Sequence, residues 1–230
     1  MITWEDVPRV AHTTAGQGFP EPSPYDTIML DNKVRFVGDR VAAVAAVSEE
    51  IAEEALKLIE VEYEVLKPIL DPAESQKEGA PVIHDEKEAH AILPFQYEPS
   101  KNLIARCDAE IGSVEEGFKT DDIVVEHEYE TQYASHCCLE NHIVISYMDE
   151  KNRIVIRTST QVPFHVRRIV AERLQIPAGR IRVIKPRIGG GFGAKQEVLL
   201  EDICAFMTLK TGQPVKLAYS AKNRSASIRI

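Results

Sequence analysis

The run from Lys185 to Gln196 reads Lys-Pro-Arg-Ile-Gly-Gly-Gly-Phe-Gly-Ala-Lys-Gln and places four glycines within five positions. Without Cβ atoms, such a run lets the backbone approach a ligand closely, takes positive φ without strain and can aim several N–H groups inward. A helix expected from about Lys195 would add the positive end of its dipole, which favours an anion or an oxygen bearing negative charge. Phe192, a large aromatic among the glycines, would form a wall for a planar or metal-bound group. The run is not a dinucleotide fingerprint: the Gly-x-Gly-x-x-Gly spacing before a helix is missing, as is a suitable acid at the end of a following strand. Nor is it a phosphate-binding loop, because the Gly-Lys-Ser/Thr ending is absent. On its residues alone it is a ligand-binding loop, a structurally required turn or a flexible lid.

The cysteines point away from a metal centre. Cys107 is isolated, Cys137 and Cys138 are adjacent, and Cys204 sits in an apolar helical pattern, so no CxxC pair is present. Adjacent cysteines could be catalytic or form a vicinal disulfide. Reduced, mostly buried thiols that bind no metal are the expectation, and a reducing cytoplasm suits them. The opening residues Met1 to Pro8 have neither a basic nor an apolar region of the kind that marks a signal peptide. No apolar run approaches the roughly 18 residues of a membrane span.

The chain of 230 residues has a formal net charge of -9. General affinity for nucleic acid is not expected of such an acidic protein. The charge is divided: residues 1–120 hold 24 acids and 11 bases, residues 121–230 hold 12 acids and 16 bases. This suits two modules, with a mildly positive second one able to hold an anionic cofactor.

The elements that would position these groups follow from periodicity. Residues 1–30, with Gly16, Gly18, Pro20, Pro22 and Pro24, read as an extended surface segment. An apolar strand is expected over 41–47, then a helix over 49–60 capped by Ser48, with Ile51, Ala55, Leu58 and Ile59 on its buried side. A strand over 61–65 would complete a β-α-β unit. That unit is thin, so the module is expected to begin upstream or to be completed by another chain. Residues 71–106 read as a connector and 110–118 as a short helix. The second module is expected to hold strands over 123–132, 142–148 and 153–158, the last two joined by a hairpin turn at 149–152. Then come a helix from Pro163 to about Leu174, a strand over 180–185, the glycine run, a helix from 195 to 209 ended by Gly212, and a strand over 214–218.

With these residues in view, the chain resembles the molybdenum-binding subunit of the xanthine dehydrogenase/aldehyde oxidase family of molybdenum hydroxylases. Residues 2–8, 37–43 and 52–64 resemble the later part of that family's α/β hammerhead domain. Residues 131–140 resemble the entrance to its first cofactor-binding domain, and Thr158-Ser-Thr-Gln161, 174–182 and 189–195 are the closest matches. The resemblance implies an α+β chain. Residues 1–75 would be a partial hammerhead domain, 76–120 a connector and 121–230 the N-terminal part of a molybdopterin-binding domain. It also implies that Gly190, Gly191, Phe192 and Gly193 meet the cofactor and that Gln196 meets the substrate.

Three departures qualify what the resemblance implies. Gln196 stands where purine-oxidising members carry a glutamate, and an amide cannot act as a carboxylate. Ala134 stands where such members carry a glutamine near a molybdenum oxo ligand. No acid here matches the motif of the family's catalytic base, so no residue of this chain is assigned as catalytic or as a metal ligand. His136 and Glu140 retain the wider motif; His136 is either structural or a ligand contact, and Glu140 is read as orienting the loop through backbone N–H groups. The implied activity inserts a water-derived oxygen at a C–H bond of an aromatic heterocycle or aldehyde. The implied cofactor is a molybdenum-pyranopterin, as molybdopterin or its cytosine dinucleotide form. Iron–sulfur clusters and FAD would lie on partners, and the remaining molybdenum-subunit segments would complete the site. The alternatives are an inactive separated fragment and a module for pyranopterin binding or assembly.

Overall fold

The computed structural model describes residues 1–15 and 18–220. Its centre is a hairpin. β1 (Ile143–Met148) and β2 (Ile154–Thr158) pair antiparallel, with Val144 opposite Thr158 and Met148 opposite Ile154. The turn closes because the Asp149 carboxylate accepts from the Lys151 and Arg153 N–H groups, each at 2.9 Å, while Asn152 takes a φ of 55°.

Before the hairpin come three helices. They are α1 (Glu49–Lys57), the single turn α2 (Pro72–Ser75) and α3 (Val114–Thr120). After it come α4 (Pro163–Arg173), β3 (Ile181–Ile184), α5 (Glu201–Thr211) and β4 (Val215–Ala218). Pro163 opens α4 where a missing N–H costs nothing. Gly212, at φ 67°, closes α5. The sheet order is β3-β2-β1-β4, with β3 parallel to β2 and the other pairs antiparallel. α5 packs across β1, β2 and β4, and α4 lies against β3 and α5. Val144, Ile154, Ile156, Val166, Ile169 and Ile203 form the core.

Several expectations change. The described part of residues 1–30, which leaves out Gly16, is not a surface segment: Ile2, Val7, Met29 and Leu30 enter the same core, and Tyr25 and Ile28 are also buried. The expected strand over 41–47 is reduced to one bridge, in which Ile2 and Ala43 exchange N–H···O bonds at 2.8 and 3.0 Å. α1 does form behind its Ser48 cap, but it ends at Lys57 and its apolar side is not buried; Ile51 and Leu58 are exposed. Residues 61–65 and 123–132 form no strand, and Val61, Tyr63, Val65, Ile123, Val125 and Tyr129 are exposed. The short helix expected over 110–118 starts at Val114, because the Ser113 hydroxyl caps it there. Cys138 is buried but Cys137 is not, because Cys137 takes a φ of 43° that turns the chain at the surface; Cys107 is exposed too.

The connector has little regular structure and folds back over the first segment. Arg35 pairs with Glu86 at 2.7 Å, Arg9 with Glu88 at 3.2 Å, and Tyr25 bridges to His90.

Candidate functional site: a glycine loop held from three sides

The glycine run leaves the end of β3 and turns against two other segments. The first is the stretch ahead of β1. Glu140 Oε2 accepts from the Gly189 N–H and from the Lys195 ammonium, both at 2.6 Å, and the Glu140 N–H donates to Gly189 O at 3.1 Å. One carboxylate therefore holds both ends of the loop. Burial pushes the Glu140 carboxyl upward, but the Lys195 ammonium and the Gly189 N–H outweigh it and hold the group below its usual range. The Lys195 side chain is fully buried, so without Glu140 it would be an uncompensated charge. The reading of Glu140 as an orienting residue is in accord with this geometry.

The second segment follows β2. Gln161 Oε1 accepts from the Gly193 N–H at 3.1 Å and the Lys195 N–H at 3.3 Å, and the Gln161 N–H donates to Lys195 O at 2.8 Å. The Thr160 hydroxyl donates to the same Lys195 oxygen at 3.3 Å. From a third side, His142 Nε2 bonds Ala194 O at 2.9 Å and the Cys138 thiol donates to Gly191 O at 3.4 Å.

These anchors hold an uncommon backbone. Gly190 and Gly193 lie at φ 100° and 94°, and between them Phe192 lies at φ 51°. For a bulky residue that conformation costs on the order of 1–3 kcal/mol and persists only where the surroundings impose it. Two glycines are required by space instead. A Cβ at Gly189 would stand 2.7 Å from Glu140 Cβ, and one at Gly191 would stand 2.7 Å from the Gln161 amide carbon. At Gly193 the nearest atom is His136 Nε2 at 3.7 Å, which leaves room beside it.

The expected site residues thus fall together: Gly190, Gly191, Phe192 and Gly193 form one turn, and the Gln196 N–H donates to Gly193 O at 3.1 Å. Gly191 is buried and the Phe192 ring is exposed. One expected contribution is absent. α5 starts at Glu201, not near Lys195, because residues 194–200 form irregular turns. The buried Glu201 carboxylate accepts from the Leu199 and Leu200 N–H groups at 3.1 Å, and Asp202 accepts from Ile203 at 2.8 Å. These acids already occupy the helix end, so its dipole does not serve the loop. The donors left over are the N–H groups of Gly190, Gly191 and Phe192, which have no acceptor among the described residues.

The reading of sequence missed Gln161 and Lys195 as structural anchors. Lys195 is 55 residues from Glu140 and Gly193 is 32 from Gln161, so no local spacing links them. Among the described residues no group of three or more His, Cys, Asp or Glu side chains could hold a metal ion, and no helix is long and apolar enough to cross a membrane.

Residues 95–227 match the molybdopterin cofactor-binding domain, and residues 1–67 match the a/b hammerhead domain of aldehyde oxidase and xanthine dehydrogenase. The chain is 44% identical, over 96% of its length, to the probable hypoxanthine oxidase XdhD of Escherichia coli O157:H7, of which the match covers 25%. It is 34% identical, over 84% of its length, to the nicotinate dehydrogenase large molybdopterin subunit of Eubacterium barkeri, of which 42% is covered. The crystal structure of quinoline 2-oxidoreductase from Pseudomonas putida 86 is similar across 97% of this chain and 28% of that one, with a TM-score of 0.75 and 26% identity. The aldehyde oxidoreductase of Desulfovibrio gigas reaches a TM-score of 0.79 over 97% of this chain and 24% of that one; at 22% identity this likeness speaks for the fold alone. The chain spans about a quarter of the length of the first of these relatives.

Proposed function

The chain belongs to the molybdopterin-binding subunits of the aldehyde oxidase and xanthine dehydrogenase family, and from that premise we propose that its glycine loop forms one wall of the cofactor site of a molybdenum hydroxylase. The observation that carries this reading is the strained turn at Phe192, imposed by Glu140, Lys195 and Gln161 beside three N–H groups without acceptors. Strain of this kind is kept where a site requires it.

The residues present fit a molybdenum-pyranopterin. Its oxygen atoms are acceptors, and the N–H groups of Gly190, Gly191 and Phe192 are donors with no acceptor among the described residues. The open space at Gly193 admits a close approach that a side chain would block. Phe192 offers an apolar wall that limits water. Gln196, on the same turn, would meet the substrate with an amide that both donates and accepts. When bound, the cofactor supplies the redox chemistry by which a C–H bond of an aromatic heterocycle or aldehyde is exchanged for a C–O bond with oxygen from water. This chain's part is to bind and orient, and none of its acids is assigned the role of base. The remaining molybdenum-subunit segments complete the site, iron–sulfur clusters and FAD lie on partners, and the setting is cytoplasmic.

In the intact protein, Gly193→Val should lower bound molybdenum or turnover with little effect on distant folding. Gln196→Glu should keep the metal and shift preference across a panel of heterocycles, because it changes a charge without moving the backbone. The measurements are metal per protein and turnover on the panel. Full metal and full activity in the Gly193 variant would leave the loop as a structural turn only.

A further inference from the structure

The bases that outnumber acids in residues 121–230 gather in part along one cleft, between the start of α4 and β3. Its volume of about 310 Å³ falls at the lower end of the roughly 300–1,000 Å³ typical of small-molecule sites. Arg153, Arg167, Arg182 and Lys185 line it, and no carboxylate does. Arg153 pairs with Asp149 at 2.8 Å, and Arg167 Nε donates to Ala178 O at 2.8 Å. Arg182, Lys185 and the terminal nitrogens of Arg167 have no partner among the described residues. Cations sharing one cleft repel one another, and an anion would relieve that repulsion. α4 adds to the field, because it starts at the same cleft without a side-chain cap. The Phe164 ring, 76% exposed, supplies an aromatic surface beside the charges.

The shape of the cleft limits what it can take. Successive side chains of a strand point to opposite faces, yet Ile181, Arg182 and Val183 all line it, so it follows the outer edge of β3. Bases on an edge strand discourage other strands from pairing there. That purpose needs neither Phe164 nor the arginines brought from α4 and from the turn before β2. β3 has four residues, and Pro186 follows Lys185 directly, so the edge is a poor template for an extended acidic peptide. A compact anion fits better. We propose that this cleft binds a small organic phosphate of the nucleoside monophosphate class, with the phosphate on Arg167, Arg182 and Lys185 and the base against Phe164. Guanidinium groups meet phosphate oxygens with paired N–H donors, and a planar base stacks on an aromatic ring. No residue of 189–196 lines the cleft, so the proposal stands apart from the reading of the glycine loop.

The test uses the full-length protein with its cofactor bound. AMP and UMP are the probes, adenosine and inorganic phosphate the controls, and binding is read by isothermal titration calorimetry. At least one nucleotide should bind saturably, one molecule per chain, and more weakly as ionic strength rises. Each control should bind at least about tenfold more weakly, since it lacks one of the two contacts. Arg182→Gln and Lys185→Gln should each weaken the nucleotide by about tenfold, the equivalent of one lost charge-assisted contact. Phe164→Ala should weaken the nucleotide and leave inorganic phosphate unchanged. All three side chains are exposed, so these substitutions leave the core intact. Absence of saturable binding by both nucleotides would overturn the proposal. So would binding that Arg182→Gln and Lys185→Gln leave unchanged, because the nucleotide would then sit elsewhere. Equal affinity for nucleotide and inorganic phosphate would reject the role of Phe164 and with it the class of ligand. A glutamate-rich peptide that bound more tightly than either nucleotide would overturn it in favour of a docking surface.

Discussion

The hairpin of β1 and β2 and the two stretches at 61–65 and 123–132 are alike rich in β-branched and aromatic residues, with opposite outcomes. Val144, Ile154 and Ile156 are wholly buried, whereas Val65 is 88% exposed, Val125 73% and Tyr129 85%. Strand-forming residues favour extended backbone; they do not supply what covers the face they present. The hairpin is covered by α5, and the Ile2, Met29 and Leu30 side chains join the same core. Nothing among the described residues does the same for the other two stretches. The contrast extends to charge. The Arg40, Arg173 and Asp202 triad is largely buried where the first segment meets α4 and α5, while pairs such as Lys119 with Glu116 sit on exposed α3.

The largest expected effect sharpens that contrast. Asp202 is fully buried and bonds Arg173 at 2.6 Å and Arg40 at 3.0 Å. Burial pulls the Arg173 guanidinium down to about 10, with Asp202 opposing, so it stays protonated at neutral pH. Asp202→Ala leaves two covered guanidinium groups without a carboxylate and should destabilise the protein by about 3–5 kcal/mol in urea unfolding. Glu116→Ala removes an exposed partner and should cost at most about 1 kcal/mol. Equal costs for the two would break the distinction between the buried triad and the exposed pair.

A smaller effect is expected at the seam between the first segment and α4. There His165 is buried against Glu21, Arg168 and Arg173; Glu21 also takes the Tyr25 hydroxyl at 3.0 Å, and Glu172 adds a further charge nearby. Burial, helped by the two arginines and opposed by Glu21, lowers His165 to about 4. An unfolded histidine titrates near 6.5. Between those values the unfolded chain binds more protons than the folded one, so stability is full above about 6.5 and falls as pH drops toward 4. Urea midpoints measured across this window should show the slope, and His165→Gln should flatten it. An unchanged slope in the variant would assign it to carboxylates held low in the folded protein, such as Glu21, because Glu172, raised by burial, would slope the other way.

These sites also show what was legible. The second half could be read because its signals are local: Asp149 closes its own hairpin, Pro163 opens α4 and Gly212 ends α5. The glycine loop could be located for the same reason. Of its anchors only Glu140 is read, through the family motif; Gln161 and Lys195 are not, because they meet their partners across 32 and 55 residues. The start of α5 was placed too early because the apolar stripe continues through Val198 and Leu199, while the buried Glu201 and Asp202 carboxylates set the first turn. The burial of Ile2, Met29 and Leu30 was hidden by the prolines and glycines around them, which signal irregular backbone but not exposure.

The smallest expected effect is the most direct test of the comparison. α1 has a cap, acids in its first turn and a lysine in its last, so its local signals agree with a helix. Its apolar side nevertheless meets no partner among the described residues, and Leu58, next to its end, is 82% exposed. In α4 the equivalent truncation Ile169→Ala removes a side chain that is 1% exposed and should cost about 2–5 kcal/mol. Leu58→Ala removes a comparable hydrocarbon from water and should shift stability by no more than about 0.5 kcal/mol. Urea midpoints of the two variants, measured side by side, decide between two accounts of α1. A negligible shift for Leu58→Ala means that capping and helix propensity alone carry α1. A cost approaching that of Ile169→Ala means that its apolar side is covered in the protein, and the two halves then differ in what covers them, not in how they are built.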